Sequence, residues 1–170
     1  MTALALCSAF ALLAVVGVLS LGFWSTRARA ASPVYVRTDG DDSACNGSAN
    51  APYNPAAAPD CALATIQQGV YAVAPGGALF VATGVFTGPV WIDRDLTLQG
   101  TGAANTILDG MGATQGFHIQ YGTSVAIDDV TIRNCVDMFG GGIYSRGNLT
   151  LTNSIMAGNH ATSWGGAIYS

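Results

Sequence analysis

The residues best suited to acid–base chemistry are two adjacent carboxylates, Asp128 and Asp129, followed shortly by Arg133. Paired carboxylates can act as general acid and base or bind Ca2+, and a nearby guanidinium can stabilise an anionic intermediate. The competing interpretation is a solvated turn between two apolar segments. Val125-x-Ile127 returns 24 residues later as Leu149-x-Leu151, and this offset aligns the three charged residues with uncharged ones at 152, 153 and 157. We therefore predict no catalytic residues, and retain Asp128, Asp129 and Arg133 only as weak candidates.

Four aromatic residues are candidates for ligand binding. Tyr144 and Tyr169 occupy equivalent places in a repeated phrase, so we expect them to stack on neighbouring repeats. Such a ladder can bind sugar rings or simply stabilise the stack. Trp91 and Trp164 are candidate extensions of the same surface, although the sequence leaves their side of the molecule open. His118 lies between two apolar residues, and we expect it to be a solvated surface side chain.

Metal and thiol chemistry have weaker signals. The run Asp39-Gly40-Asp41-Asp42 has the composition of a calcium loop but lacks the ligand spacing, so a simple turn is favoured and no cofactor is predicted. Cys45 and Cys61 flank a loop rich in Pro, Ala and Asn, and we expect a disulfide between them in an oxidising compartment. Cys135 is then left as a buried thiol.

The overall composition excludes several classes of protein. Half of the 170 residues are hydrophobic and only 9% are charged, against about 25% in an average soluble domain, which excludes a disordered chain. Lys and Glu are absent, so a helical bundle is disfavoured. The net charge of -4 and the lack of a basic cluster argue against nucleic acid as a partner.

The first 30 residues form a leader. An uncharged apolar run from residue 3 to 24 precedes Arg27 and an A-x-A-like cleavage site after Ala30. We interpret residues 1–30 as a signal peptide or an uncleaved N-terminal anchor, which would be the chain's sole contact with a membrane. Either form predicts an exported protein that is secreted, on the cell surface or in the outer membrane.

One amphipathic helix precedes a series of short strands. Asp60 is a candidate N-cap, and the apolar residues Leu63, Ile66, Val70 and Val73 form one stripe that ends at Pro75-Gly76-Gly77. We expect residues 31–77 to contain an N-terminal strand, the disulfide-closed loop and this helix. Residues 78–170 then contain a series of short strands, in each of which two apolar residues flank one outward residue.

An internal repeat predicts how these strands assemble. Gly140-Gly141-Gly142-Ile143-Tyr144-Ser145 returns as Gly165-Gly166-Ala167-Ile168-Tyr169-Ser170. The interval between the two copies, from residue 140 to residue 165, is typical of the repeat length of a solenoid. We therefore predict an all-β, right-handed parallel β-helix whose N-terminal end is capped by the helix. We expect the coils to be truncated at the C-terminus. An antiparallel sandwich, with Asp109-Gly110 as a hairpin turn, is the alternative.

The same residues resemble two known groups of proteins. Segments 64–70, 75–77, 81–86, 96–102 and 106–110 are similar to the opening of pectin-lyase-like β-helix domains. The Gly-Gly-x-Ile phrases, with Asn159 before the second, resemble repeats of the polymorphic outer membrane protein family. That family's second signature is Phe-x-x-Asn, and here it reads Met156-Ala157-Gly158-Asn159.

Together these features favour an exported, non-catalytic β-helix module for cell-surface adhesion or for interaction with the envelope and its glycans. The expected partner is an extracellular polysaccharide or a cell-surface molecule. The resemblance to pectin-lyase-like proteins implies a second hypothesis, a polysaccharide lyase or hydrolase. A structural stalk without ligands is a third.

Overall fold

The computed structural model describes residues 33–56 and 58–170, which form a parallel β-solenoid of about four turns. It contains one short helix, α1, Ile66–Ala72. The strands are β1 Val34–Val36, β2 Gly77–Val81, β3 Gly84–Thr87, β4 Val90–Ile92, β5 Leu96–Gln99, β6 Thr106–Asp109, β7 Phe117–Ile119, β8 Ser124–Asp128, β9 Thr131–Arg133, β10 Val136–Phe139, β11 Ile143–Ser145, β12 Asn148–Thr152, β13 Ile155–Ala157, β14 His160–Trp164 and β15 Ile168–Tyr169.

Successive coils stack as parallel strands, which confirms the predicted parallel β-helix. The strands form four sheets, ordered β1-β2-β5-β8-β12, β13-β9-β6-β3, β15-β11-β7-β4 and β10-β14. Each pairing between named strands in the described residues is parallel, so the alternative antiparallel sandwich is excluded. Asp109 ends β6 and pairs with the following coil instead of turning a hairpin.

Inward side chains form continuous apolar columns. In the first sheet, Leu79 aligns with Leu98, and Leu98 aligns with Ile127 in the next coil. In the second sheet, Leu108 aligns with Ile132. All five side chains are essentially inaccessible to water. Each coil alone is one layer thick, so its apolar residues become buried only when another coil covers them.

The helix covers the N-terminal end of these columns, as predicted. Ile66, Val70 and Val73 are buried, and α1 contacts β1, β2 and β4. The predicted cap residue Asp60 is wrong, because the helix begins after Thr65, whose hydroxyl accepts a hydrogen bond from the Gln68 amide. Asp60 instead accepts hydrogen bonds from two side chains of the preceding loop.

Glycine is required in the repeated phrase for two reasons. Gly140 and Gly165, the first residues of the two copies, both have a positive φ, near 57° and 69°. A side chain on Gly141 would meet the backbone carbonyls of His160 and Cys135. Each coil makes the same turn in close contact with the backbone of its neighbour, and glycine is needed each time. The repeated phrase reflects this requirement.

Cys45 and Cys61 form the predicted disulfide, and Cys135 is a buried free thiol. Burial in an apolar site raises the pKa of the Cys135 thiol to about 11. The predicted leader, residues 1–30, lies outside the described residues. Within the described ranges, no helix has the length and apolar character needed to cross a membrane.

Substitution of a side chain at the centre of the stacked core should reduce the free energy of unfolding. Ile127→Ala removes a fully buried side chain with apolar neighbours in the coils before and after it, and should reduce the free energy of unfolding by about 3 kcal/mol. Thr150→Ala, at an exposed position of the same sheet, should change it by less than about 0.5 kcal/mol. Urea denaturation of both variants measures this. Equal effects would contradict the columnar core.

The disulfide should stabilise the N-terminal cap. Its 16-residue separation predicts a loss of about 3 kcal/mol of unfolding free energy in the Cys45→Ser, Cys61→Ser double variant. Denaturant unfolding of the oxidised protein and of this variant provides the measurement. Unchanged stability would show that the loop is held by its other contacts alone.

Candidate functional site

A groove forms where the corner before the third sheet becomes longer from coil to coil. In successive coils, the residues between the second and third sheets are 88–89, 110–116, 134–142 and 158–167. The longer corners contain the added strands β10 and β14, which pair with each other. The first two coils lack this addition. In the later coils the new strands flank the outward face of the third sheet, and a concave surface forms between them and that face.

An aromatic ladder runs along the outward face of the third sheet. Strand pairing places Trp91 beside His118, His118 beside Tyr144, and Tyr144 beside Tyr169. The successive ring centroids are 4.0, 4.8 and 5.6 Å apart. The two tyrosine rings are nearly parallel, with an interplanar angle of 3°. The predicted tyrosine ladder is thus confirmed, and Trp91 belongs to it.

Trp164 lies in a second aromatic row on the added strands. Its ring centroid is 5.7 Å from that of Phe139, and Phe139 is 5.6 Å from Tyr169. The Trp164 side chain is 65% exposed. Phe139 therefore joins the two rows into one aromatic surface, which contains all four residues proposed from the sequence for ligand binding.

His118 is not the solvated side chain expected from the sequence. It points outward, but it is partly buried and stacked between Trp91 and Tyr144. Burial lowers the pKa of His118, the charge of Asp137 opposes this, and the charge of Arg146 adds to it. The imidazole is therefore held towards its neutral form near neutral pH.

The groove between the two aromatic rows has a volume of about 250 Å3 and combines apolar walls with a few polar groups. It is lined by Trp91, Gln115, His118, Asp137, Phe139 and Tyr144. Gln115 is buried at its base, where its amide nitrogen donates to the carbonyls of Phe139 and Gly140. Asp137 is exposed at the opposite wall. Such a surface is suited to binding a polar ligand that also has apolar faces.

The candidate catalytic aspartates form hydrogen bonds to neighbouring coils. Asp128 accepts hydrogen bonds from Thr152 and Asn153 of the next coil, at 2.7 and 2.9 Å. The Thr152 hydroxyl is the main cause of a lowered pKa at Asp128. Asp129 accepts from Gln99 of the preceding coil at 2.9 Å. The two carboxylates are thus directed to different coils.

Arg133 forms an ion pair with Asp109 of the preceding coil, with Nε and Oδ2 2.7 Å apart. Asp109 also accepts from the Met111 amide, and these bonds lower its pKa. The predicted alignment of Arg133 with residue 157 is confirmed, and its ion-pair partner lies in the coil on the other side.

The acidic run at residues 39–42 has separate partners for each carboxylate. Asp39 pairs with Arg37, Asp41 accepts from the amides of Ser43 and Ala44, and Asp42 accepts from residues 64 and 65 before the helix. These hydrogen bonds stabilise the turn that was predicted for this run. Within residues 33–56 and 58–170, no group of three or more His, Cys or Asp side chains is placed to hold a metal.

Four groove residues were missed from the sequence: His118 as a ladder member, Gln115, Asp137 and Phe139. The signal for His118 was present, because ring-bearing residues return at near-constant intervals at 91, 118, 144 and 169. The other three depend on corner length, which no repeat in the sequence specifies. Their contribution to the groove required the structure.

The phrase Met156-Ala157-Gly158-Asn159, which resembles the Phe-x-x-Asn signature, has a structural role in the last coil. The Asn159 side chain accepts a hydrogen bond from the Cys135 amide and donates to the Ile132 carbonyl, so it joins two coils. Met156, where the family has Phe, is partly buried and packs against the core. A sulfur-containing apolar side chain fills the inward position here.

Residues 153–170 match the Chlamydia polymorphic membrane protein repeat. No curated protein and no solved structure matches the chain. The chain is thus a parallel β-helix protein whose residues 153–170 resemble a repeat of polymorphic membrane proteins.

The neighbours of His118 should control its titration. NMR titration of the imidazole ring protons should give a pKa below the ordinary value of about 6.5. Asp137→Asn should lower the pKa further, since the carboxylate favours the charged ring, and Arg146→Gln should raise it. Shifts in the reverse directions would contradict the arrangement of charges around the groove.

Proposed function

We propose that this parallel β-helix, with its polymorphic-membrane-protein-like repeat, is an exported surface module that binds glycans without cleaving them. The matched repeat belongs to a family described as membrane proteins, which supports a place at the cell surface or outer membrane. The Cys45–Cys61 disulfide fits an oxidising compartment outside the cytoplasm. The observation that carries the proposal is the aromatic-lined groove along the solenoid axis.

The shape of the groove suits an extended ligand. From Trp91 to Tyr169 the ladder crosses four coils, a distance of about 14 Å at the usual spacing between strands. Trp91, Tyr169 and Trp164 are 46%, 36% and 65% exposed. A chain molecule lying along the ladder would contact several rings at once, whereas a small metabolite would contact one or two.

The chemistry of the ladder also suits carbohydrate. The rings stack on one another, so their outer edges are directed towards a ligand, and aromatic edges carry partial positive charge. Hydroxyl oxygens of a sugar are favourable partners for such edges. The apolar C–H groups of the sugar can pack on Phe139 and on the exposed part of Trp91.

The positions of the candidate catalytic residues support binding without cleavage. Asp128 and Asp129 connect adjacent coils through their hydrogen bonds, and Arg133 is paired with Asp109. None of these four residues lines the aromatic groove. A ligand held on the ladder would therefore be presented and retained, which is the requirement for adhesion or envelope attachment.

Glycan binding is tested with immobilised polysaccharides and with calorimetry on purified protein. Trp91→Ala should weaken binding about ten-fold, because it removes an exposed aromatic side chain at the end of the ladder. Phe80→Ala is the matched control. Phe80 is an exposed aromatic residue that stacks on Tyr35 in a different sheet, and its removal should leave affinity unchanged.

Two results would contradict the proposal. Release of shortened or unsaturated sugars from the bound polysaccharide would show an enzyme. Absence of binding to any glycan, with folded protein confirmed by circular dichroism, would favour a structural stalk.

A further inference from the structure

Two of the side chains that line the groove, His118 and Asp137, present hydrogen-bond acceptors. The amide nitrogen of Gln115 donates to the backbone carbonyls of Phe139 and Gly140, at 3.0 and 3.2 Å. Its amide oxygen is therefore the atom that faces His118, where it lies 3.3 Å from Nδ1. Because an amide oxygen only accepts, Nδ1 must carry the proton.

This assignment leaves Nε2 of the neutral imidazole as an acceptor. Within the described part of the chain, Nε2 has no hydrogen-bond partner. Burial disfavours protonation of the ring, so the lone pair of Nε2 is retained near neutral pH. The buried Gln115 amide thus fixes which nitrogen of His118 is available to a ligand.

Asp137 supplies the second acceptor and a negative charge. Its carboxylate accepts from the Met138 amide at 2.6 Å and belongs to none of the three ion pairs among the described residues. Arg146, which follows β11, is likewise outside these pairs, and its charge acts on His118. It does not line the groove.

The charges of the chain beyond residue 30 also favour a cationic ligand. Beyond residue 30 there are ten Asp and four Arg, and three of the arginines pair with neighbouring aspartates. A ligand that approaches the protein therefore meets a surface of net negative charge. Such a surface disfavours anionic sugars and attracts cations.

We propose that the groove recognises a primary ammonium group on a glycan, as in N-deacetylated amino sugars. The ammonium donates to the Asp137 carboxylate and to Nε2 of His118, while the sugar ring packs against Trp91, Phe139 and Tyr144. An ammonium group has three donors and no acceptor, which complements these two acceptors. This inference rests on the proposed glycan binding and specifies the chemical class of the sugar.

The test compares two oligosaccharides that differ only at nitrogen. Calorimetry at about pH 6.5 uses a glucosamine hexamer and the matching N-acetylglucosamine hexamer. Burial lowers the pKa of His118 and so favours its neutral form in this experiment. The wild-type protein should bind the amine form at least about ten-fold more tightly. Added salt should reduce this preference, because an ion pair in a solvent-open groove is screened.

Three variants separate the contributions of charge. Asp137→Asn should weaken binding of the glucosamine hexamer about five-fold and leave the acetylated hexamer unaffected. Arg146→Gln should strengthen binding of the glucosamine hexamer, because a repelling charge is removed. The matched control is Asp95→Asn, which removes one carboxylate outside the groove and keeps an acceptor for the Ser124 amide.

The outcomes distinguish this inference from the proposed function. Preference for the acetylated hexamer or for oligogalacturonate would overturn ammonium recognition and leave glycan binding intact. Equal loss in Asp137→Asn and Asp95→Asn would show a general charge effect and would also overturn it. Tighter binding of a lysine-rich peptide than of the glucosamine hexamer would assign the groove to protein. No binding to any sugar would contradict both proposals.

Discussion

Parallel stacking of coils in exact register is the constraint on which the rest of the molecule depends. Adjacent strands lie about 4.8 Å apart, so each inward side chain is covered by its equivalents in the coils before and after it. Leu98 is covered by Leu79 and Ile127, for example. Backbone groups are satisfied by the same neighbours. A coil that shifted by one residue would turn its apolar side chains outwards, and it would lose both the apolar burial and the backbone hydrogen bonds to its neighbours.

The same register that builds the core also builds the outer surface. Outward residues must stack as closely as inward ones, which converts aromatic residues at one position per coil into a ladder. Trp91, His118 and Tyr144 are brought together in this way although they are distant in the sequence. Corner length is the variable that register does not fix. Its increase along the solenoid adds β10 and β14 and thereby changes a flat ladder into a groove.

Much of the fold was predictable because its determinants are local and periodic. The strand pairs, the capping stripe and the two glycine phrases each carry their signal within a few residues. The site was less predictable. The ion pair between Asp109 and Arg133 joins two strands whose alignment no repeated phrase in the sequence specifies. The position of Asp137 depends on how far a long corner projects, and the tautomer of His118 depends on a buried Gln115. These are properties of packing, which a sequence pattern does not encode directly.

Register is tested most directly by disulfide trapping across two coils. Ala126 and Thr150 are paired in adjacent strands of the first sheet, with Thr152 two residues further along. Paired parallel residues lie within the Cα distance that a disulfide bridges, and residues displaced by two positions lie beyond it. Mild oxidation should cross-link the Ala126→Cys, Thr150→Cys variant efficiently and the Ala126→Cys, Thr152→Cys variant poorly. Preferential cross-linking of the second pair, or of neither, would contradict the stacked solenoid.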